Sequence, residues 1–271
     1  SSAMLAETVH SLADCGNQLL LLLGMRQAKR PASPDYPLGY GKAIYFWSFL
    51  VALMLFSVGG MYSIYEGVHK LQHPEPLRQW WWAVGVLVFG IVAEGMSMRA
   101  CLQEVKKARG DRSLWQWFRE SRQAELVVIF GEDLAALAGL VLALLAVGLS
   151  VLTGDPIWDA IGTPAIGLLL VVVAVFVAVE VKALLIGQSM DPDREQEVRA
   201  FIAARPEVAG VISLITLQLG NDVMLSVQAE MTPADSADAL IEAINRVERA
   251  VKQRFPEVRW SFFEPDSRSG D

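Results

Sequence analysis

Long apolar blocks separated by short polar or basic stretches dominate the chain up to about residue 187. They run over roughly 3–25, 43–70, 80–103, 124–152 and 158–187. Each reaches the roughly 20 helical residues that a hydrocarbon core requires. The pattern predicts a polytopic α-helical membrane domain of five spans over residues 1–188. The gaps set its orientation. Arg26, Lys29, Arg30 and Lys42 lie between the first two blocks, and Lys106, Lys107, Arg109, Arg112, Arg119 and Arg122 between the third and fourth. By the positive-inside rule both loops are cytoplasmic. The alternate loops agree, with Lys70 and Arg78 near one and no basic residue from Thr153 to Pro156 in the other. Trp80, Trp81, Trp82 and Trp158 then fall in the outer aromatic belt. Five spans with a cytoplasmic C-terminus place Ser1 outside.

After Gly187 the pattern becomes that of a small soluble domain over 189–266. Residues 192–204 have helical spacing, with Val198, Phe201 and Ile202 on one face. Two alternating runs, 211–219 and 223–230, flank Gly220-Asn221-Asp222 and predict a hairpin. A second amphipathic helix follows Thr232-Pro233 and uses Leu240, Ile241, Ile244, Val247 and Val251, before a last strand over 258–263. The order αββαβ predicts a two-layer α+β cytoplasmic domain. Residues 267–271 are expected to be a disordered tail.

Composition narrows the chemistry. The mean hydropathy is +0.36, and 53% of the 271 residues are hydrophobic, as a membrane protein requires. The net charge of -7 is concentrated as acid after Asp191, which argues against a nucleic-acid partner. The two cysteines, Cys15 and Cys101, lie inside apolar segments and can build neither a disulfide framework nor a thiolate zinc cluster. Metal chemistry must use His, Asp and Glu, and the histidines are His10, His69 and His73. The chain enters an amphipathic segment with no basic region ahead of it, so no signal peptide is expected.

The first block reads Glu7-Thr-Val-His10-Ser-Leu-Ala-Asp14-Cys-Gly-Asn17. His10 and Asp14, four residues apart, share a helix face, and Glu7 and Asn17 extend the stripe by a turn each way. An imidazole and a carboxylate stacked in this way can chelate one divalent cation, although a helix lining a wet cavity would carry the same pair. The fourth block holds Phe130-Gly131-Glu132-Asp133-Leu134 deep in an apolar run. Two adjacent carboxylates there cost several kcal/mol unless protons or a cation neutralise them. Their side chains project about 100° apart on a helix, so one can coordinate while the other pairs elsewhere. His10, Asp14, Asp133 and Glu132 together make a nitrogen and oxygen ligand set suited to Zn²⁺ and acceptable to Mn²⁺, Co²⁺ or Fe²⁺. Glu66 reads as interfacial, and Glu94 as a helix-pairing or proton-coupling residue. Cys15 and Cys101 read as packing residues, and His69 and His73 as solvated ones.

These residues resemble the cation diffusion facilitator family over nearly the whole chain. Residues 2–14 look like its second transmembrane helix, and Tyr36-Pro-Leu-Gly-Tyr-Gly-Lys42 is similar to the Gly-x-Gly-Lys motif that follows. Ile64-Tyr-Glu-Gly-Val-His-Lys70 is similar to its third-helix ending, and Asp155-Pro-Ile-Trp-Asp159 to the entry of its sixth helix. The αββαβ tail resembles its ferredoxin-like cytoplasmic domain. The resemblance implies a homodimer in a bacterial inner membrane that exports Zn²⁺ or a related cation in exchange for protons, with no resident cofactor. The metal would lie between the family's second and fifth helices and alternate in access. Three departures stand out. The family has six spans, so its first helix has no counterpart here. Ile129 occupies the usual ligand position four residues before Asp133, leaving Glu132 as the substitute, as in a subgroup with Glu-Asp in the fifth helix. Tyr36 and Tyr40 stand where loop histidines are expected, and the tail has no histidine, so accessory metal sites are not expected there. Two rival readings remain: a membrane scaffold or sensor of the same fold without transport, and an intramembrane metalloenzyme. The second lacks His-Glu-x-x-His and any protease signature.

Overall fold

The computed structural model describes residues 2–72 and 80–267, with side chains from Cys15 onward. Its elements in chain order are α1 (Ser2–Ala28), α2 (Ala43–Gln72), α3 (Trp80–Arg109), α4 (Leu114–Glu120), α5 (Ala124–Thr153), α6 (Ile157–Ile186), α7 (Pro192–Ala203), β1 (Val208–Leu219), β2 (Asp222–Met231), α8 (Ala237–Arg254) and β3 (Val258–Pro265). They cluster into two compact units, Ser1–Arg26 with Ile44–Lys182 and Gln27–Ala43 with Ala183–Asp271.

Among the described residues, α2, α3, α5 and α6 are long and apolar enough to cross a membrane. The first predicted span coincides with α1, part of whose side chains lie outside the described residues. Lipid-facing surface is what such helices must present, and Phe89 of α3 is 74% exposed. Midway along α2 the backbone loosens into a π-helical turn, Leu55–Met61. Ser57 there donates its hydroxyl to the Leu53 carbonyl at 2.8 Å. The turn brings Gly60 against α6. A Cβ on Gly60 would lie 2.6 Å from Val171 Cγ2, and one on Gly167 would lie 2.7 Å from the Ile64 nitrogen. Small residues let two helix backbones approach in this way without a hydrophobic driving force between them. Farther along, Gly67 meets Pro164, and Lys70 reaches Asp159 at 3.5 Å and donates to the Thr163 hydroxyl at 3.3 Å. Leu55, Ala135, Leu170 and Ala174 form the apolar core that α2, α5 and α6 share.

The basic stretch between α3 and α5, expected to be a loop, contains a helix. Ser113 caps α4 by accepting the Gln116 amide at 3.1 Å. Trp117 and Phe118 then fold onto Phe130 of α5, the indole edge-on with centroids 5.7 Å apart. Arg119 of α4 reaches Glu180 of α6 at 3.4 Å.

The second unit has the predicted element order αββαβ. Asp191 caps α7 with Pro192 at its first position. β1 and β2 pair antiparallel from Val208↔Met231 to Leu219↔Asp222, and β3 joins β2 in parallel with Val227↔Phe263, giving the order β1-β2-β3. One sheet face buries Leu214, Leu225, Val227 and Ala229 against Val198 and Ile202 of α7 and Val247 and Val251 of α8. The other leaves Ile215 61% and Phe262 55% exposed. The loop 27–43 belongs to this unit and seats Gly41 on the hairpin turn. A Cβ on Gly41 would collide with the Leu219 carbonyl, and Gly220, at φ 70°, has room for none because the Gly41 carbonyl lies 2.7 Å from that position. Within the loop the rings of Tyr36 and Tyr40 lie 4.4 Å apart.

Candidate metal centre

After Glu125 in its first turn α5 runs apolar, and it becomes acidic again within its third turn, at Glu132-Asp133. The roughly 100° between neighbouring side chains on a helix sends the two carboxylates to different neighbours. Asp133, 8% exposed, accepts from the Ser97 hydroxyl of α3, at 3.2 Å to Oδ1 and 3.1 Å to Oδ2. Glu132, half-buried, turns to α1, where Asn17 donates its Nδ2 to Oε1 at 2.8 Å. One acidic dipeptide thereby ties three helices together.

Of the four predicted ligands, the structure describes these two. His10 and Asp14 lie on α1, but their side chains fall outside the described residues, as does that of Glu7. Asn17 is two turns from His10 and one from Asp14 along α1, and its own side chain meets Glu132. Among the described residues no three His, Cys, Asp or Glu side chains come together closely enough to hold a metal. The described half of the centre offers two carboxylates, an amide and a hydroxyl, oxygen donors that suit a divalent cation once further ligands join them.

Ser97 is the residue that sequence reasoning missed. Serine in an apolar helix ordinarily signals only small size, and the available clue was Glu94 one turn earlier on the same face. Glu94 is half-buried and has an interaction of its own, and Glu66 is half-buried near the end of α2. Cys101 is buried, whereas Cys15 and His69 are exposed; His73 lies outside the described residues. Glu180, paired with Arg119, is a second polar group inside a span that the reading overlooked.

The cation efflux transmembrane domain matches residues 1–186. Among curated relatives, the proton-coupled zinc antiporter SLC30A9, mitochondrial, of Xenopus laevis is 29% identical over 299 residues, covering 96% of this chain and 54% of its own length. Metal tolerance protein C4 of Arabidopsis thaliana is 33% identical over 204 residues, 74% of this chain and 45% of its own. The cation-efflux pump FieF of Klebsiella pneumoniae is 27% identical over 265 residues, 94% of this chain and 80% of its own. The chain thus spans about half the length of the first two relatives. The Xenopus relative is mitochondrial by name, so the expected bacterial inner membrane finds no support there, and what stands is a membrane protein.

Proposed function

This chain belongs to the cation diffusion facilitator family, and we propose that it exports Zn²⁺, or a related divalent cation, in exchange for protons. The observation that carries this reading is the pair Glu132-Asp133, held inside an apolar bundle by Asn17 of α1 and Ser97 of α3. Adjacent carboxylates in a membrane interior are costly unless a cation or protons neutralise them, and exchange of one for the other is the transport reaction. His10, Asp14, Asp133 and Glu132 bind the dehydrated cation. Protons displace it when the centre faces the other side, and imidazole and carboxylate together provide exchangeable positions. The name of the zinc antiporter relative agrees with this cargo. The basic loops support a tail on the cytoplasmic side. Its αββαβ order supports a ferredoxin-like fold, and the open sheet face carrying Ile215 and Phe262 supports a homodimer.

Reconstitution in proteoliposomes with a zinc-sensitive dye inside and a pH gradient across the membrane tests the reading. Wild type should give a rapid dye response that Asp133→Ala lacks. Silence of the wild type toward Zn²⁺, Mn²⁺ and Co²⁺ alike would overturn transport in favour of a scaffold or sensor. Equal responses from wild type and Asp133→Ala would remove the metal from this centre.

A further inference from the structure

Asn17 is 2% exposed, and its Nδ2 is accounted for by Glu132. Its Oδ1 is also buried and has no hydrogen-bond partner among the described residues. In the cation-bound state the orientation of the amide is not arbitrary, because an ionised carboxylate only accepts and therefore selects the NH₂ end. The oxygen is the atom left over. A buried acceptor without a partner costs about 1–3 kcal/mol and calls for a specific occupant. It belongs to the amide whose nitrogen is bonded to Glu132, three residues along α1 from Asp14. An amide oxygen is a competent ligand for a divalent cation, and it contributes no charge that would trap the ion.

We propose that Oδ1 of Asn17 is itself a ligand of the transported cation, sharing it with Glu132. This deepens the transport reading and rests on it. The amide then has two functions at one position: its nitrogen aims the Glu132 carboxylate, and its oxygen joins that carboxylate on the metal. A neutral oxygen beside two acids also limits the net negative charge of the emptied centre, which favours release.

The test separates a ligand from a residue that only positions Glu132. The purified full chain is titrated with Zn²⁺ by calorimetry as wild type, Asn17→Leu, Glu132→Gln, the double variant and Asp133→Ala, with size exclusion and circular dichroism as folding controls. If Asn17→Leu does not fold, Asn17→Ala takes its place throughout. The proposal expects Asn17→Leu to weaken Zn²⁺ binding by about tenfold or more, and expects a comparable loss when the same change is made on Glu132→Gln. A loss that disappears in the Glu132→Gln background would overturn it, leaving Asn17 a positioning residue. Unchanged affinity in Asn17→Leu, with binding still dependent on Asp133, would overturn the ligand but leave the centre intact. Unchanged affinity in Asp133→Ala would instead remove the centre on which the proposal stands.

Discussion

The two units of this chain solve opposite solvent problems. In the tail, Val198, Ile202, Leu225, Val227, Val247, Val251 and Phe255 are buried and the charges lie outside, as in Arg194 with Glu257 and Arg259 with Asp222. In the helical unit the exposed surface is apolar, while Asn17, Ser48, Asp133 and Ser150 are buried. The same physics produces both, since each places its minority chemistry where its own solvent is not. The difference teaches where function can be sought. In the tail, buried Thr216 is satisfied structurally, accepting the Met190 amide at 3.1 Å. A buried acid in a lipid-bathed helix pair is expensive enough that a cation or proton is its natural partner.

The contrast is broken most severely at Asp133. Asp133→Ala should eliminate Zn²⁺-dependent dye response in proteoliposomes while amide exchange in the tail is unaltered. Loss of tail protection in that variant would show that the two units do not answer independently. Next in size is Phe255→Ala, which removes a fully buried ring from the tail core. It should destabilise the tail by about 3–5 kcal/mol, read as faster amide exchange in β2 of the full chain, with Zn²⁺ affinity retained. Ser97→Ala should be smaller, since it deletes a hydroxyl that donates to both Asp133 oxygens. A hydrogen bond to a charged group is worth about 1.5–3 kcal/mol, so Zn²⁺ affinity should change by at least about tenfold, with no change in tail exchange.

The smallest effect belongs to Glu207. Burial pushes its carboxyl up, but a backbone amide, Arg246 at 3.2 Å and Arg205 at 3.4 Å outweigh it and hold it below the ordinary carboxylate range. A depressed folded value means stability that is present above the unfolded value of about 4.3 and is lost as pH falls through the folded one. Glu207→Gln should therefore flatten the acid side of the tail's stability profile, measured by amide exchange between pH 6 and pH 3. An unchanged profile would show that the pairs with Arg205 and Arg246 contribute nothing.

Legibility followed the range of the interactions involved. Strands β1 and β2 were readable because alternation and a Gly-Asn-Asp turn are local, and β2 alternates buried and half-buried residues along nearly its whole length. The parallel pairing of β3 was not, since Val227↔Phe263 is set by the passage of α8 across the sheet. Helix α4 escaped notice because seven residues carry too little periodicity, and its stability comes from Trp117 and Phe118 meeting Phe130. The π-helical turn of α2 likewise depends on its neighbour. At the candidate centre, Glu132-Asp133 was conspicuous in sequence because charge is rare in an apolar run. Ser97 was not, since only a partner on another helix distinguishes a functional serine from a small one. Asn17 stood on the predicted stripe, but its pairing with Glu132 could be seen only across two helices.

The backbone approach of Gly60 and Gly167 sets a boundary on permeation. Where a missing side chain is already occupied by the neighbouring helix, there is no space for a file of water or for a hydrated ion. The α2 and α6 seam is therefore an insulating wall at this level. On the transport proposed above, the cation crosses on the side where α1, α3 and α5 bring their oxygens together, and a proton leak through the seam would first require these two helices to separate.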